Sequence, residues 1–262
     1  MKLFPLPVVG IASDNADLKK INEIVERYHP LNDEEESVQD IYKFILKLHT
    51  KKSFYFLNER ILEYSEQDFI VKFWGYVMET FFGGDDHLLI RWGETMSSSN
   101  KKVNLRMKLD MRVMILKQGR YVMDGLNGEY ARKHMNGKLY KDRLKLVLGG
   151  MSYLKEIRET CQYLEEKEIT GIKIPFIQIM GFNAIVSIIR LEDTGLFVTE
   201  DLMIKALSLV KHLLKTLEET IEEGRVKDND DMMKNIINEV GKGPKPNLKL
   251  WVDKICGDLA RL

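Results

Sequence analysis

Three acidic side chains lie in one apolar stretch of the sequence, KLDMRVMILKQGRYVMDGLNGEYARKH, which spans residues 108–134. The alternation of apolar and polar residues, with Gln118-Gly119 near the middle, predicts a β-hairpin. Asp110 and Glu129 are 19 residues apart on either side of that turn. They would therefore lie near the same end of two adjacent strands. Two carboxylates so placed can bind Mg²⁺, which prefers oxygen ligands.

Ordinary hairpin charge is the alternative explanation of these carboxylates. On that view they pair with the basic side chains nearby, which are Lys108, Arg112 and Arg132. Exposed cross-strand pairs of this kind contribute only about 0.2–1 kcal/mol each. Asp124 falls in the middle of its predicted strand, so it is not expected to be a metal ligand. Asp110 and Glu129 remain as the candidate pair.

The patterns around the hairpin predict an α/β fold. A strand begins near residue 87, a polar loop follows in TMSSSNKK, and helices are expected at 141–167 and 200–223. A second hairpin is predicted around Gly181. The expected architecture is a mixed β-sheet that is built from two hairpins and flanked by helices, with helical N- and C-terminal additions. Three regions follow: an N-terminal arm and helical region (1–64), a core (65–224) and a charged tail with a short helix (225–262).

The order of helix, strand, Asp-strand, Glu-strand and helix over about residues 66 to 165 resembles the PD-(D/E)XK nuclease superfamily. Asp110, in LDMRV, matches the Asp at the start of the second core strand, and Glu129, in GEYARK, matches the Glu of the E-x-K motif. Glu79 is in the place of a further acidic residue that some members carry. The resemblance implies a restriction-endonuclease-like fold in which Asp110, Glu129 and Glu79 hold Mg²⁺.

The wider layout is also similar to an uncharacterised, lineage-expanded fungal protein family with such nuclease-like cores. The similar segments are GETMSSSNKK, LDMRV, NGEYARK and IQIMGFNAIVSIIRLEDTG. The chain departs from the superfamily motif in one important place: Ala131 stands where the motif Lys is expected. Lys133 lies two residues further along the strand, about 6–7 Å away, and is the displaced stand-in. If the site is active, its catalytic residues would be Asp110, Glu129 and Lys133.

Local charge points to a nucleic-acid partner. The whole chain has 40 basic and 40 acidic residues, but thirteen basic and four acidic residues lie between positions 100 and 145, which leaves a local excess of nine positive charges. Such clusters bind phosphate backbones. The expected nucleic-acid-binding residues are Lys101, Lys102, Arg106, Lys108, Arg132 and Lys133. The alternative is that these side chains solvate several different faces or pair with the acidic segments at 34–36 and 218–223.

Several classes of function are disfavoured. Two cysteines without a CxxC pair argue against a zinc site or a disulfide framework, and no G-x-G-x-x-G or Walker loop is present. No apolar run approaches the ~20 residues that cross a bilayer, so an integral membrane protein is not expected. The low cysteine count favours a reducing compartment, and we therefore expect an intracellular protein, cytoplasmic or nuclear. The leading hypothesis is a nuclease-like domain with a degenerate catalytic site that binds nucleic acid or a protein partner. The alternatives are a non-catalytic scaffold or interaction protein with no metal site and, less expected, an active Mg²⁺-dependent nuclease.

Overall fold

The computed structural model of the chain describes residues 15–132, 136–161, 164–192 and 195–238. These residues form two compact units that divide between Gly84 and Asp85. The boundary that the sequence suggested after residue 64 lies inside the first unit, because the helical segment at 66–82 belongs to that unit.

The N-terminal unit is helical. Its elements are α1 (Asn15–Arg27), α2 (Asp33–Lys51), a 3-10 turn (Ser53–Phe56), α3 (Asn58–Ile61), α4 (Glu66–Phe69), a π-helical turn (Ile70–Trp74) and α5 (Gly75–Phe82). Asn32 caps α2, since its side-chain oxygen accepts a hydrogen bond from the Glu35 N–H at 2.9 Å. Ser65 and Asp68 form a capping box that begins α4. Helix α5 packs against α2 within this unit.

The C-terminal unit is built on a six-stranded sheet. Its strands are β1 (Leu88–Thr95), β2 (Leu109–Lys117), β3 (Arg120–Ala131), β4 (Lys173–Met180), β5 (Asn183–Glu192) and β6 (Gly195–Leu202), and they lie in that order across the sheet. Strands β3 and β4 are parallel, and the other neighbours are antiparallel. The flanking helices are α6 (Ser98–Lys102), α7 (Asn136–Thr160), α8 (Glu166–Gly171) and α9 (Met203–Asn238). The predicted α/β class with a mixed sheet is confirmed.

Both predicted hairpins are confirmed. Gln118 and Gly119 join β2 to β3 with positive φ angles of 49° and 71°, which is the backbone of the tight turns that match the twist of the flanking strands. Gly181, with a φ of 60°, begins the turn between β4 and β5. Local turn chemistry therefore sets both connections.

The first turn offers a stability test. We expect Gln118→Asn to raise the free energy of unfolding by about 0.5 kcal/mol, because Asn tolerates the left-handed region better than Gln. Gly119→Ala should lower it by about 1 kcal/mol, since an added Cβ meets no neighbour within 4 Å and the cost is conformational alone. Urea unfolding measures both changes, and equal stabilities of the two variants would contradict the turn assignment.

The segment TMSSSNKK is not the polar loop that its composition suggested. Residues 98–102 form the short helix α6, which begins because the Ser97 side chain accepts a hydrogen bond from the Asn100 N–H at 2.9 Å. Ser99 and Asn100 are buried, and Asn100 accepts a hydrogen bond from Ser152 of α7 at 2.6 Å. Packing against α7 therefore converts a polar run into ordered structure.

Helix α9 runs beyond the predicted start of the charged tail at residue 225 and ends at Asn238. Gly224 does not stop the helix. A Cβ at Gly224 would lie 2.8 Å from the Cβ of Cys161, so the glycine permits close packing there. Residues 239–262, the remainder of the predicted tail, lie outside the described residues. Within the described ranges, no helix combines the length and apolar character needed to cross a membrane.

Candidate active site

Strands β2 and β3 bring Asp110 and Glu129 to one face of the sheet. Met111 pairs with Gly128, and the same register extended by one residue places Asp110 opposite Glu129. Residues opposite each other in an antiparallel pair point to the same side, with Cβ atoms about 4.5–5.5 Å apart. The Tyr130 backbone N–H donates to Asp110 Oδ2 at 2.9 Å, which holds this carboxylate beside Glu129. The two candidate ligands are therefore neighbours.

Glu129 is a buried carboxyl group, with only 1% of the residue exposed. Burial raises the pKa of Glu129 to about 8; the hydrogen bond from Lys145 acts in the opposite direction, and the negative charges of Asp110 and Asp142 raise it further. Its Oε1 atom has no hydrogen-bond partner among the described residues. A buried polar atom without a hydrogen-bond partner is costly, so this oxygen is suited to contact a ligand.

Lys145 of α7 places an ammonium group directly at this pair of carboxylates. Its Nζ donates to Glu129 Oε2 at 2.8 Å and lies 4.0 Å from Asp142 Oδ1. Asp142 and Lys145 are three residues apart on the helix, so they share one face. Burial tends to lower the pKa of Lys145, but the hydrogen bond and charge of Glu129 and the charges of Asp142 and Asp110 raise it. The side chain therefore stays charged.

The remaining predicted site residues are not described as part of this cluster. Ala131, in the position of the motif Lys, is buried at the end of β3, and Lys133 lies outside the described residues. Glu79 is in α5 and belongs to the N-terminal unit, whereas Asp110 and Glu129 belong to the C-terminal unit.

Sequence reasoning missed Lys145 as a site residue. The superfamily motif predicts a Lys along β3, next to the motif Glu, whereas the observed ammonium group belongs to Lys145 of α7. A detectable signal was the pair of Asp142 and Lys145, spaced i, i+3 near the start of the helix that follows the Glu-strand. The structure therefore brings Lys145 to Asp110 and Glu129, and the predicted role of Lys133 stays a prediction.

An open cleft of about 710 Å³ adjoins the carboxylate pair. Asp110 and Lys145 line it, together with three of the six predicted nucleic-acid-binding residues: Lys101, Arg106 and Lys108. Within the described part of the chain, neither Lys101 nor Arg106 takes part in an ion pair. Four basic and two acidic side chains, Glu94 and Asp110, therefore line the cleft, which leaves its wall mainly positive.

Not all of the predicted basic residues are available to a ligand. Lys102 points instead to Glu156, with 2.6 Å between Nζ and Oε1. Lys108 lies 3.3 Å from Glu94, and both side chains are largely exposed, so the pair is weak. Arg132 is exposed just after β3. Part of the expected basic surface is therefore concentrated at the cleft and part is engaged elsewhere.

Asp124 is not at this site, as its mid-strand position predicted. The Arg112 Nη1 atom lies 2.7 and 2.8 Å from the two carboxylate oxygens of Asp124, and Arg112 Nε donates to Thr95 Oγ1 at 2.9 Å. Burial raises the pKa of Asp124, whereas Arg112 and Tyr121 act to lower it. Asp124 and Arg112 are 0% and 5% exposed, so the pair is a buried structural element and not an ordinary surface charge.

The candidate centre consists of two carboxylates and one ammonium group. Among the described residues, no group of three or more His, Cys, Asp or Glu side chains is arranged to hold a metal ion. A site with two carboxylates is still within the range for Mg²⁺, which commonly keeps several of its waters. No protein-family model, no curated protein and no solved structure matches this chain.

Proposed function

We propose that the C-terminal unit is a nuclease-like domain that binds nucleic acid in the cleft and hydrolyses phosphodiester bonds with the help of Mg²⁺. The observation that carries this proposal is the Lys145 ammonium group, 2.8 Å from Glu129 and beside Asp110. Two carboxylates and a Lys are the set that the PD-(D/E)XK resemblance implies. The order β1, β2 with Asp110, β3 with Glu129, then α7 agrees with that resemblance.

A divalent cation fits the carboxylate pair. Oε1 of Glu129 is buried without a donor among the described residues, and Asp110 lies opposite on the neighbouring strand. Asp110 and Glu129 would hold the ion, with waters completing its coordination. When bound, Mg²⁺ supplies Lewis-acid polarisation of the phosphoryl group and lowers the pKa of water.

The protein side chains supply the remaining requirements. Lys145, oriented by its hydrogen bond to Glu129, presents an ammonium group that can donate to the attacking water or to a phosphoryl oxygen. Lys101 and Arg106 line the same cleft and can bind neighbouring phosphates. Attraction between these cations and the phosphate backbone would weaken steeply as salt increases.

A scaffold without a metal site is the alternative function. The burial of Glu129 favours the nuclease-like proposal, because an acidic group that serves only solubility gains nothing from burial and incurs a desolvation cost. In a scaffold without a metal site, Lys145 would be expected to be an ordinary residue on the helix surface. Here it contacts a buried carboxyl group at the edge of a cleft.

The proposal predicts Mg²⁺- or Mn²⁺-dependent cleavage of labelled DNA or RNA by the full chain. Asp110→Asn and Lys145→Ala should each reduce the rate about 100-fold or more, the effect of removing one group that stabilises developing charge. The matched control is Lys117→Ala. Lys117 pairs with Glu222, and both side chains are 42% exposed, so this loss should leave the rate unchanged.

Circular dichroism and thermal unfolding establish that each variant is folded before its rate is compared. Cleavage that is absent in the wild type under all these conditions, or equal in Asp110→Asn, would refute the catalytic proposal. If Mg²⁺ also leaves the thermal midpoint of the wild type unchanged, the scaffold alternative is favoured.

A further inference from the structure

We infer that the cleft accepts single-stranded nucleic acid, with an unpaired base against an apolar wall and the adjoining phosphate near Lys145. This inference rests on the proposed function and names the substrate class of the same site. It depends on features of the cleft other than its carboxylates.

The cleft combines cations with apolar side chains. Met96, Leu105 and Met107 line it alongside Lys101 and Arg106. A duplex presents mainly phosphate and sugar to a protein surface, so it would make few contacts with an apolar wall. An unpaired strand exposes base faces, which pack on apolar and aromatic side chains. Met is well suited to this contact because its thioether is flexible and polarisable.

The apolar wall is held in place by the fold. The segment between α6 and β2 turns at Asn104, which has a positive φ of 60°. The Leu105 N–H then donates to the Asn100 carbonyl oxygen at 2.9 Å, and the Met107 N–H donates to the Leu105 carbonyl oxygen at 2.8 Å. Leu105 is 8% exposed and anchors the segment, whereas Met96 and Met107 are half-buried. The backbone of this segment is therefore fixed, and the two half-buried Met side chains leave apolar surface accessible in the cleft.

The cations around this wall come from separate elements. Lys101 lies in α6, Arg106 in the segment before β2, and Lys145 in α7. Positive charge therefore borders the apolar surface from more than one direction. The volume of about 710 Å³ is within the ~300–1,000 Å³ range of small-molecule sites. It suits one or two nucleotides of a strand whose backbone follows the cations.

Fluorescence anisotropy of labelled oligonucleotides with the full chain tests this inference, in EDTA so that metal-dependent cleavage cannot consume the strand. The probes are a single strand, the same sequence as a duplex, and an abasic strand of equal length and charge, each as DNA and RNA. We expect the single strand of either sugar to bind about 10-fold more tightly than the duplex or the abasic strand, since stacking contributes about 1–3 kcal/mol per base.

Two variants separate the base contact from the phosphate contact. Met107→Ser, with Met96→Ser as a second choice if the first is misfolded by circular dichroism, should reduce the preference for the strand with bases to about threefold or less. Arg106→Ala should weaken binding of the normal and abasic strands by the same factor. Binding with no preference over the duplex or the abasic strand, or a preference unchanged in a folded Met variant, would overturn this inference and leave the nuclease-like proposal standing. No binding of any oligonucleotide would overturn both.

Discussion

Replacing Asp124 with Ala is expected to lower the free energy of unfolding of the C-terminal unit by about 3–5 kcal/mol, the cost of removing one partner of a buried ion pair. Asp124 is 0% exposed and accepts two contacts from the Arg112 guanidinium group. Without the carboxylate, that guanidinium group stays buried and uncompensated. Urea unfolding followed by circular dichroism measures the change.

Two matched variants test whether the loss of stability in Asp124→Ala comes from the buried ion pair. The double variant Arg112→Met/Asp124→Leu should recover much of the lost stability, because it removes both charges and fills the space with apolar atoms. Lys117→Ala, which breaks a pair with both side chains 42% exposed, should cost at most about 1 kcal/mol. If Asp124→Ala costs no more than Lys117→Ala, the description of Asp124 and Arg112 as a structural pair is wrong.

The substitution Glu129→Gln is expected to stabilise the protein at alkaline pH, with an effect that shrinks as pH falls toward 5. The pKa of Glu129 is raised to about 8 in the folded protein, chiefly by burial, from about 4.3 in an unfolded chain. Between these values the unfolded state releases a proton that the folded state retains. The stability associated with protonated Glu129 is therefore complete below about pH 4 and is lost as pH rises toward 8.

A Gln at this position keeps an oxygen for the Lys145 hydrogen bond but carries no charge at any pH. We expect the variant to exceed the wild type by about 2–4 kcal/mol at pH 8, with the difference falling by up to about 1.4 kcal/mol for each pH unit toward pH 5. Denaturant unfolding in EDTA from pH 5 to 9 measures this dependence. Glu94→Gln is the matched control, since the Glu94 side chain is 72% exposed. A difference that does not change with pH would contradict the assigned burial of the carboxyl group.

The hairpins could be predicted from sequence because their determinants are local. Gln118-Gly119 supplies the turn, so residue spacing brought Asp110 and Glu129 to the same end of the hairpin. Their direct opposition also depends on two register shifts in the pairing of β2 with β3, between Val113 and Met114 and between Ile115 and Leu116, which the alternating pattern does not specify. Lys145 could not be placed in this way. Its contact with Glu129 depends on how α7 crosses the sheet, which no local pattern specifies.

The prediction of a polar loop at 95–102 was wrong for the same physical reason, because tertiary packing and not local sequence determines this segment. A run of Ser, Asn and Lys looks like a loop when only composition is considered. Ser99 and Asn100 are buried because α7 covers them, and their polar groups gain partners on that helix, including Ser152 at 2.6 Å from Asn100. Packing of α7 on the rest of the unit thus determines both the helix α6 and the position of Lys145, neither of which was predicted from the sequence.

The parallel pairing of β3 with β4 affects when the site is assembled during folding. The two hairpins close over short turns, whereas β3 and β4 can meet only after α7 and α8 have bridged them. Closing the longer loop costs more chain entropy, and non-local pairings form more slowly. Glu129 lies on this seam opposite Gln178, and Lys145 lies in the bridging helix. A growing chain that has formed only its first hairpin would therefore present the carboxylates without the ammonium group, and the complete centre appears only when the sheet is joined.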